Sequence, residues 1–301
     1  MDVMPKPLPI DPERIPGLSG KLLRSHYDNN YLGAVSKLNL IRKRLESAGG
    51  QTVRGFALVG AKREELLAAN SVFLHEAYFD ALGGNGVIPQ GGFSVALERD
   101  FGSVGNWHSE FKALAEAMGG GAGWAILAWS SREARLINHW AGDHTQLLAG
   151  SSLLLALDMY EHAYHLDFGA RASAYVDAFL AQIRWDAVAC AYARTMDAAS
   201  TMLRILPSEA AAQKRAVVLD VRRRPVFELA HDRIPGAEWR DPSLVAQWQC
   251  EFDQAQDVIV YCVHGHEISQ SIALVLRARG IHACYMAGGI EGWKHADLPV
   301  C

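Results

Sequence analysis

Two units in one chain are predicted: an N-terminal α-hairpin that runs into an α/β (α+β) layer, then a C-terminal α/β unit with a parallel sheet. Three observations predict this. Apolar residues recur at helical spacing over the first eighty or so positions. Three apolar runs follow, GWAILAWS, EARLINHW and SSLLLALDMY, with the turn signal SerSerArg between the first two, and these read as a small antiparallel sheet. Beyond about residue 214, short buried strands alternate with helices, which is the pattern of a parallel layer. The 301 residues suffice for two domains at roughly 100–200 residues each.

Taken in order, Leu22, Leu23, Leu32, Val35, Leu38, Ile41 and Leu45 mark a helix from Lys21 to about Ala48, stopped by the GlyGly at 49–50. A second helix is predicted from about Glu64 to Leu82, ended by GGNG, and the two form an antiparallel hairpin. Phe93–Asp100 and Asn106–Met118 read as helices separated by FGSVG. After the three strands, helices are expected over Ala170–Ile183 and from Asp186 onward. MLRILPSEAAAQK at 202–214 reads as a linker, with the boundary near 207. AVVLDVR, DVIVYC and HACYMAGG are the strands of the last unit, and LVLRARG is the end of a helix. The expected division is 1–83 for the hairpin, 84–205 for the first α/β layer and 206–301 for the second.

Composition narrows the function. Half the residues are hydrophobic and 21% are charged, so ordinary cores can form. A net charge of −4 argues against a general nucleic-acid binder, while leaving room for a local positive funnel that steers a small anion. The N-terminus has prolines and mixed charge but no apolar leader, and no run is long enough to span a membrane. Cys190, Cys250, Cys262, Cys284 and Cys301 are scattered, odd in number and without CxxC spacing, as expected of free thiols in a reducing cytoplasm.

Two constellations carry chemistry. In LALDMYEHAYHLDF a buried strand meets a helix start, and the four-residue gap lets Asp158 and His162 face one point. His26 and His75 fall one on each helix of the hairpin, so antiparallel packing can bring both imidazoles into the space between them. Three neutral imidazoles and a carboxylate suit Fe or Mn with a position left open, and the lack of a thiolate disfavours structural zinc. By spacing alone, a lone histidine on a helix reads more readily as a satisfied core or surface residue than as a ligand.

Longer motifs go further. ALERDFGSVGNWHSEFKALAEAMGGGAGWAIL and LDMYEHAYHLDFGARASAYVDAFLAQIRWD resemble the signatures of the Fe/Mn superoxide dismutase family, the second carrying its D-x-W-E-H-A-Y-Y motif in modified form. The resemblance covers about residues 15–200 and implies the family's hairpin-plus-α/β fold. It implies one Fe or Mn ion per subunit, held by His26 (in SHYDNNY), His75 (in FLHEAYF), Asp158 and His162, with superoxide as substrate. It implies that His144, in GDHTQLL, lies beside the solvent ligand. Glu161 next to His162 matches the residue that bridges to the partner subunit's ligand, so a homodimer is implied. Trp107, Trp124 and Trp185 stand in family positions, and Trp124 and Trp185 are expected to wall the pocket. The departures are specific. Asn30 replaces the histidine four residues after the first ligand, and Ala34 replaces the gateway tyrosine four residues further on. Tyr160 replaces the motif's Trp, and His165 its second Tyr. Asn30 and His165 change together, which implies a replaced cross-subunit pair. Tyr27 or Tyr31 is the candidate to fill the gateway space, with Tyr31 taken forward.

The second constellation is a cysteine loop. Cys262 ends a buried strand where the chain turns into a helix, so backbone N–H groups can form a nest that holds an anion or favours a thiolate. The same position is equally readable as a buried cysteine capping a strand. VVLDVR, HDRIPGAEW, VIVYCVHGHEIS and YMAGGIEGW, in this order over about 214–301, resemble a rhodanese-like (sulfurtransferase) domain. The resemblance makes Cys262 the active-site position and Asp220 and Arg222 a structural ion pair. Glu267 stands where the loop C-x-x-G-x-R-S has arginine, and a carboxylate there opposes thiolate formation. His264 and His266 compensate if protonated. Sulfur transfer and silent binding of an oxyanion or a partner protein therefore both stay open. Both halves resemble proteins found beside bacterial chromate-resistance functions, which implies a setting of oxidative stress.

Overall fold

The computed structural model describes residues 2–47 and 55–301. The hairpin opens with α1 (Gly20–Ser25), capped by Ser19, whose hydroxyl accepts from the Leu22 N–H at 3.1 Å. The helix then widens into a π-helical segment, His26–Tyr31, before resuming as α2 (Leu32–Ser47). None of the apolar residues that mark the helix falls within this segment, so their spacing does not reveal the insertion. Such insertions recur at functional sites, and this one starts on a candidate ligand. The predicted GlyGly stop at 49–50 lies outside the described residues.

The second helix, α3 (Phe56–Asp80), begins eight residues before the expected Glu64. Its first turns are exposed all round, with Phe56 97% and Val59 67% accessible, so no buried stripe signals them. Next come α4 (Gly92–Phe101) and α5 (Val104–Glu116), the latter capped by the Ser103 hydroxyl, which accepts from the Asn106 N–H. Three antiparallel strands follow, β1 (Trp124–Ser130), β2 (Arg135–Ala141) and β3 (Ser151–Asp158), in the order β2-β1-β3. Central β1 is buried along its whole length, which is why it reads as a continuous apolar run, and its register sets Trp124 beside Asp158. The short helix α6 (His165–Phe168), then α7 (Ala172–Ala181) and α8 (Trp185–Ser200), close the layer.

The stretch 202–214 is not a bare linker. It holds β4 (Arg204–Ile205) and α9 (Pro207–Ala212), and β4 pairs with Tyr285–Met286 as the edge of the second sheet. A two-residue strand has no alternation to detect, so its pairing is invisible in sequence. Then come β5 (Val217–Asp220), α10 (Arg224–Leu229), β6 (Glu238–Trp239), α11 (Val245–Trp248), β7 (Asp257–Tyr261), α12 (Glu267–Ala278), β8 (His282–Met286) and α13 (Gly289–His295). The sheet is all parallel, in the order β4-β8-β7-β5-β6.

Helix α12 joins the two units. It packs on α8 and α4, and its Leu274 and Val275 sit against the first unit's core. Gln270 Nε2 donates to Asp197 Oδ1 at 3.3 Å across the seam. The side chain of Glu267 presses so closely on Gly92 of α4 that a Cβ at position 92 would collide with its Cγ.

Candidate metal centre

Four side chains from four places in the chain converge. His26 opens the π segment, His75 lies on α3, Asp158 ends β3, and His162 sits in the 3-10 turn Glu161–Ala163. One ligand-type atom from each lies within 4.8 Å of the other three. The Nε2 atoms of His26 and His162 are each 3.0 Å from Asp158 Oδ2, and His75 Nε2 is 3.6 Å from it. His26, His75 and Asp158 are buried, while His162 keeps 30% of its side chain accessible.

The surroundings set the state of His75 and Asp158 most clearly. His75 Nδ1 donates to the Ser71 carbonyl at 2.7 Å, one helical turn back. The lone pair is thereby left on Nε2, which is buried and has no hydrogen-bond partner. Burial lowers the His26 pKa and pushes that of His75 down to about 3, so both rings are neutral near pH 7. Burial opposes ionisation of Asp158 too, but the contacts from His162 and His26 outweigh it and hold the carboxyl well below its usual range. Asp158 is also fixed in place: its Oδ1 accepts from the Tyr160 N–H at 2.9 Å, and its carbonyl accepts from the Tyr175 hydroxyl at 2.9 Å. A neutral imidazole nitrogen with no partner, buried beside an ionised carboxylate, is what a cation fits. The N3O donor set suits Fe or Mn.

His144 lies against this cluster. Its ring stacks on Tyr160 (centroids 5.3 Å apart), meets Trp124 edge-on at 5.7 Å and is 6.4 Å from the His75 ring. Burial lowers its pKa, and its Nε2 is buried without a partner. Trp124 walls the pocket, 5.1 Å edge-on to His75. Tyr160 stacks on both His162 and His144, a role that sequence reading missed when it recorded only the departure from Trp. The Ser71 carbonyl was missed as well; any residue four positions back on the helix presents the same backbone acceptor, so the residue type gives no signal.

Other expectations meet a different arrangement. Tyr31 is buried away from solvent, and its hydroxyl donates to Glu76 Oε1 at 3.1 Å and accepts from the Lys6 N–H at 2.7 Å. Burial pushes its pKa up to about 12. Tyr27 packs on Phe79 and Tyr31, and its hydroxyl donates to the Lys6 carbonyl. Both hydroxyls are thus tied to the N-terminal segment. Trp185 packs with Phe93 and Trp107, and its indole donates to the Gly86 carbonyl, so it is a core residue rather than a pocket wall. Glu161 and His165 are exposed and Asn30 is half-buried.

In the second unit Cys262 is buried at the end of β7, with its Sγ 3.3 Å from the Ser269 hydroxyl oxygen. The loop turns at Gly265 (φ +73°), where a Cβ would collide with the Met286 carbonyl. His264 and His266 are exposed, their rings 5.9 Å apart. Asp220 and Arg222 form a buried ion pair, with Arg222 Nε 3.0 Å from Asp220 Oδ1 and the Tyr261 hydroxyl donating to Asp220 Oδ2 at 3.0 Å. The side chain of Glu267 lies on Gly92 of the first unit.

Comparison with known proteins agrees with this geometry. Residues 89–191 match the family described as iron/manganese superoxide dismutases, C-terminal domain, and residues 207–296 match the rhodanese-like domain. The chain is 53% identical over 188 residues to a superoxide dismutase [Fe] of Cupriavidus metallidurans, which covers 62% of this chain and 95% of that one. It is 32% identical over 183 residues to superoxide dismutase [Mn] 1 of Halobacterium salinarum, covering 60% and 90% of the two chains. It is also 32% identical over 199 residues to a superoxide dismutase [Fe] of Aquifex pyrophilus, covering 63% and 91%. The chain belongs to the iron/manganese superoxide dismutase family and carries a rhodanese-like domain after the dismutase part.

Proposed function

We propose that the protein converts superoxide to hydrogen peroxide and oxygen, with one Fe or Mn ion per subunit held by His26, His75, Asp158 and His162. The observation that carries this reading is the convergence of three imidazoles and one carboxylate in a buried pocket, in a chain of this family. A bound Fe or Mn supplies one-electron exchange with superoxide in both directions. The chain's own residues do the rest. Ser71 sets the tautomer of His75, Asp158 offers a fixed negative charge, and Trp124 and Tyr160 keep water from most of the pocket. The neutral His144 ring has a buried Nε2 without a partner beside the cluster, where it can hold a solvent molecule in place by a hydrogen bond.

A homodimer formed through Glu161 and His162 completes the reading. Its support is that His162 alone among the four candidate ligands is partly open to solvent and adjoins the exposed Glu161. A cytoplasmic site is supported by the five free cysteines. No described helix is long and apolar enough to cross a membrane. The decisive experiment is superoxide decay after pulse radiolysis, with metal content measured on the same sample. Full metal loading with no rate above that of free ions rejects the dismutase reading and leaves a metal-binding relative of low activity.

Cys262 is the proposed sulfur carrier of the second unit. The position of Glu267 favours the other reading, an oxyanion- or partner-binding module, because no guanidinium stands at the arginine position of the loop. Cyanide-dependent thiocyanate formation, lost in Cys262→Ser, decides for turnover; a silent wild type decides for binding.

A further inference from the structure

The seam between the units holds a cleft of about 740 Å³. One wall comes from the end of α4 and the turn between β1 and β2, the other from α11 and α12. Four arginines line it, Arg99, Arg132, Arg135 and Arg279, against two acids, Asp100 and Glu133. Asp100 is already committed. It accepts from Arg99 Nε at 2.7 Å and Nη2 at 2.6 Å, and from the Leu136 N–H at 2.7 Å. Arg132, Arg135 and Arg279 are exposed, and among the described residues none of them has a carboxylate within ion-pair distance.

Arg99 is committed as well: its side chain is 2% exposed, paired with Asp100 and facing the buried Tyr192. Clustered like charges are unfavourable unless a ligand relieves them. The surplus of cations also stands out in a chain whose net charge is −4. Such a surplus in a concave site draws anions by focusing the field.

We propose that this cleft binds a small phosphate-bearing polyanion, held by the Arg135 and Arg279 guanidinium groups with Arg132 at the rim. Guanidinium forks match phosphate oxygens in pairs. The volume falls in the range of about 300–1,000 Å³ found for small-molecule sites. Because the walls come from both units, the ligand bridges the seam and its binding stabilises the docked arrangement. The site lies outside the metal cluster and the cysteine loop, and does not depend on either one's activity.

The test is isothermal titration of pyrophosphate into the full-length, metal-loaded protein at about 150 mM NaCl, where non-specific surface attraction is screened. One saturable site per chain is expected, together with a raised thermal midpoint. Arg279→Ser and Arg135→Ser should each weaken binding by about tenfold or more, with metal content and superoxide decay unchanged. ADP measured alongside separates two sources of the same chemistry. Equal affinity means the cleft reads phosphate alone; tighter ADP means it also reads the attached nucleoside. Absence of saturable pyrophosphate binding in the wild type overturns the proposal, as does binding unaltered in both variants.

Discussion

The metal cluster and the cysteine loop sit in one chain and are built in different ways. The cluster draws its four groups from separate elements, buries three of them and orients them with backbone and tyrosine hydrogen bonds. The loop has a buried thiol, a glycine turn and the nearby Asp220–Arg222 pair, but the residue at its arginine position leans on the neighbouring unit. The comparison teaches that a complete set of ligands can be recognised from its own shell, whereas a thiol's reactivity depends on charge that surrounding contacts can divert.

The largest effect that could break this comparison is at Asp158. Asp158→Asn removes the fixed negative charge and should lower metal affinity by more than the roughly 100-fold that changes around a ligand typically cost; metal analysis after dialysis checks it. Unchanged loading would mean that the carboxylate is not a ligand. Next is thiol reactivity. Iodoacetamide should label the exposed Cys190, Cys250 and Cys301 about tenfold faster than the buried Cys262, as read by peptide mass mapping. A Cys262 that reacts first would reverse the contrast and mark an activated thiolate.

Gly92→Val should destabilise the protein by about 1–3 kcal/mol, the usual cost of overpacking, because the added carbons meet Glu267. Urea unfolding gives the value, and Gly92→Val combined with Glu267→Ala should recover most of it. No recovery would mean that the two positions are not in contact. The smallest effect is on pH. An unfolded histidine titrates near 6.5, and burial holds the folded His75 down to about 3. Its contribution to stability is therefore complete above about pH 6.5 and drains away as pH falls toward 3. The metal-free protein should lose stability between about pH 7 and pH 5, and His75→Gln should lose less. An equal loss in both would remove His75 from the account.

How much could be read in advance depended on the physical signal behind each feature. The β1 run Trp124–Ser130 was legible because a strand buried on both faces is apolar throughout. The four candidate ligands were legible only through the long motifs around them, since a histidine on a helix carries no periodicity of its own. The π segment at His26 was not legible, because the apolar markers of the helix, Leu23 and Leu32, lie on either side of it. The start of α3 was hidden by its lack of a buried face, and β4 by its length of two residues. Tyr31 was offered for the gateway on chain position, but its hydroxyl is taken by Glu76 and Lys6, a pairing between segments far apart in sequence.

The central claim is that His26, His75, Asp158 and His162 form one metal site. Anomalous diffraction at the iron and manganese edges, from crystals of protein purified from its own host, tests it most directly. The account predicts one peak per chain bonded to Nε2 of all three histidines and to Asp158 Oδ2. A peak elsewhere in the chain, or a metal bound without Asp158, would contradict it.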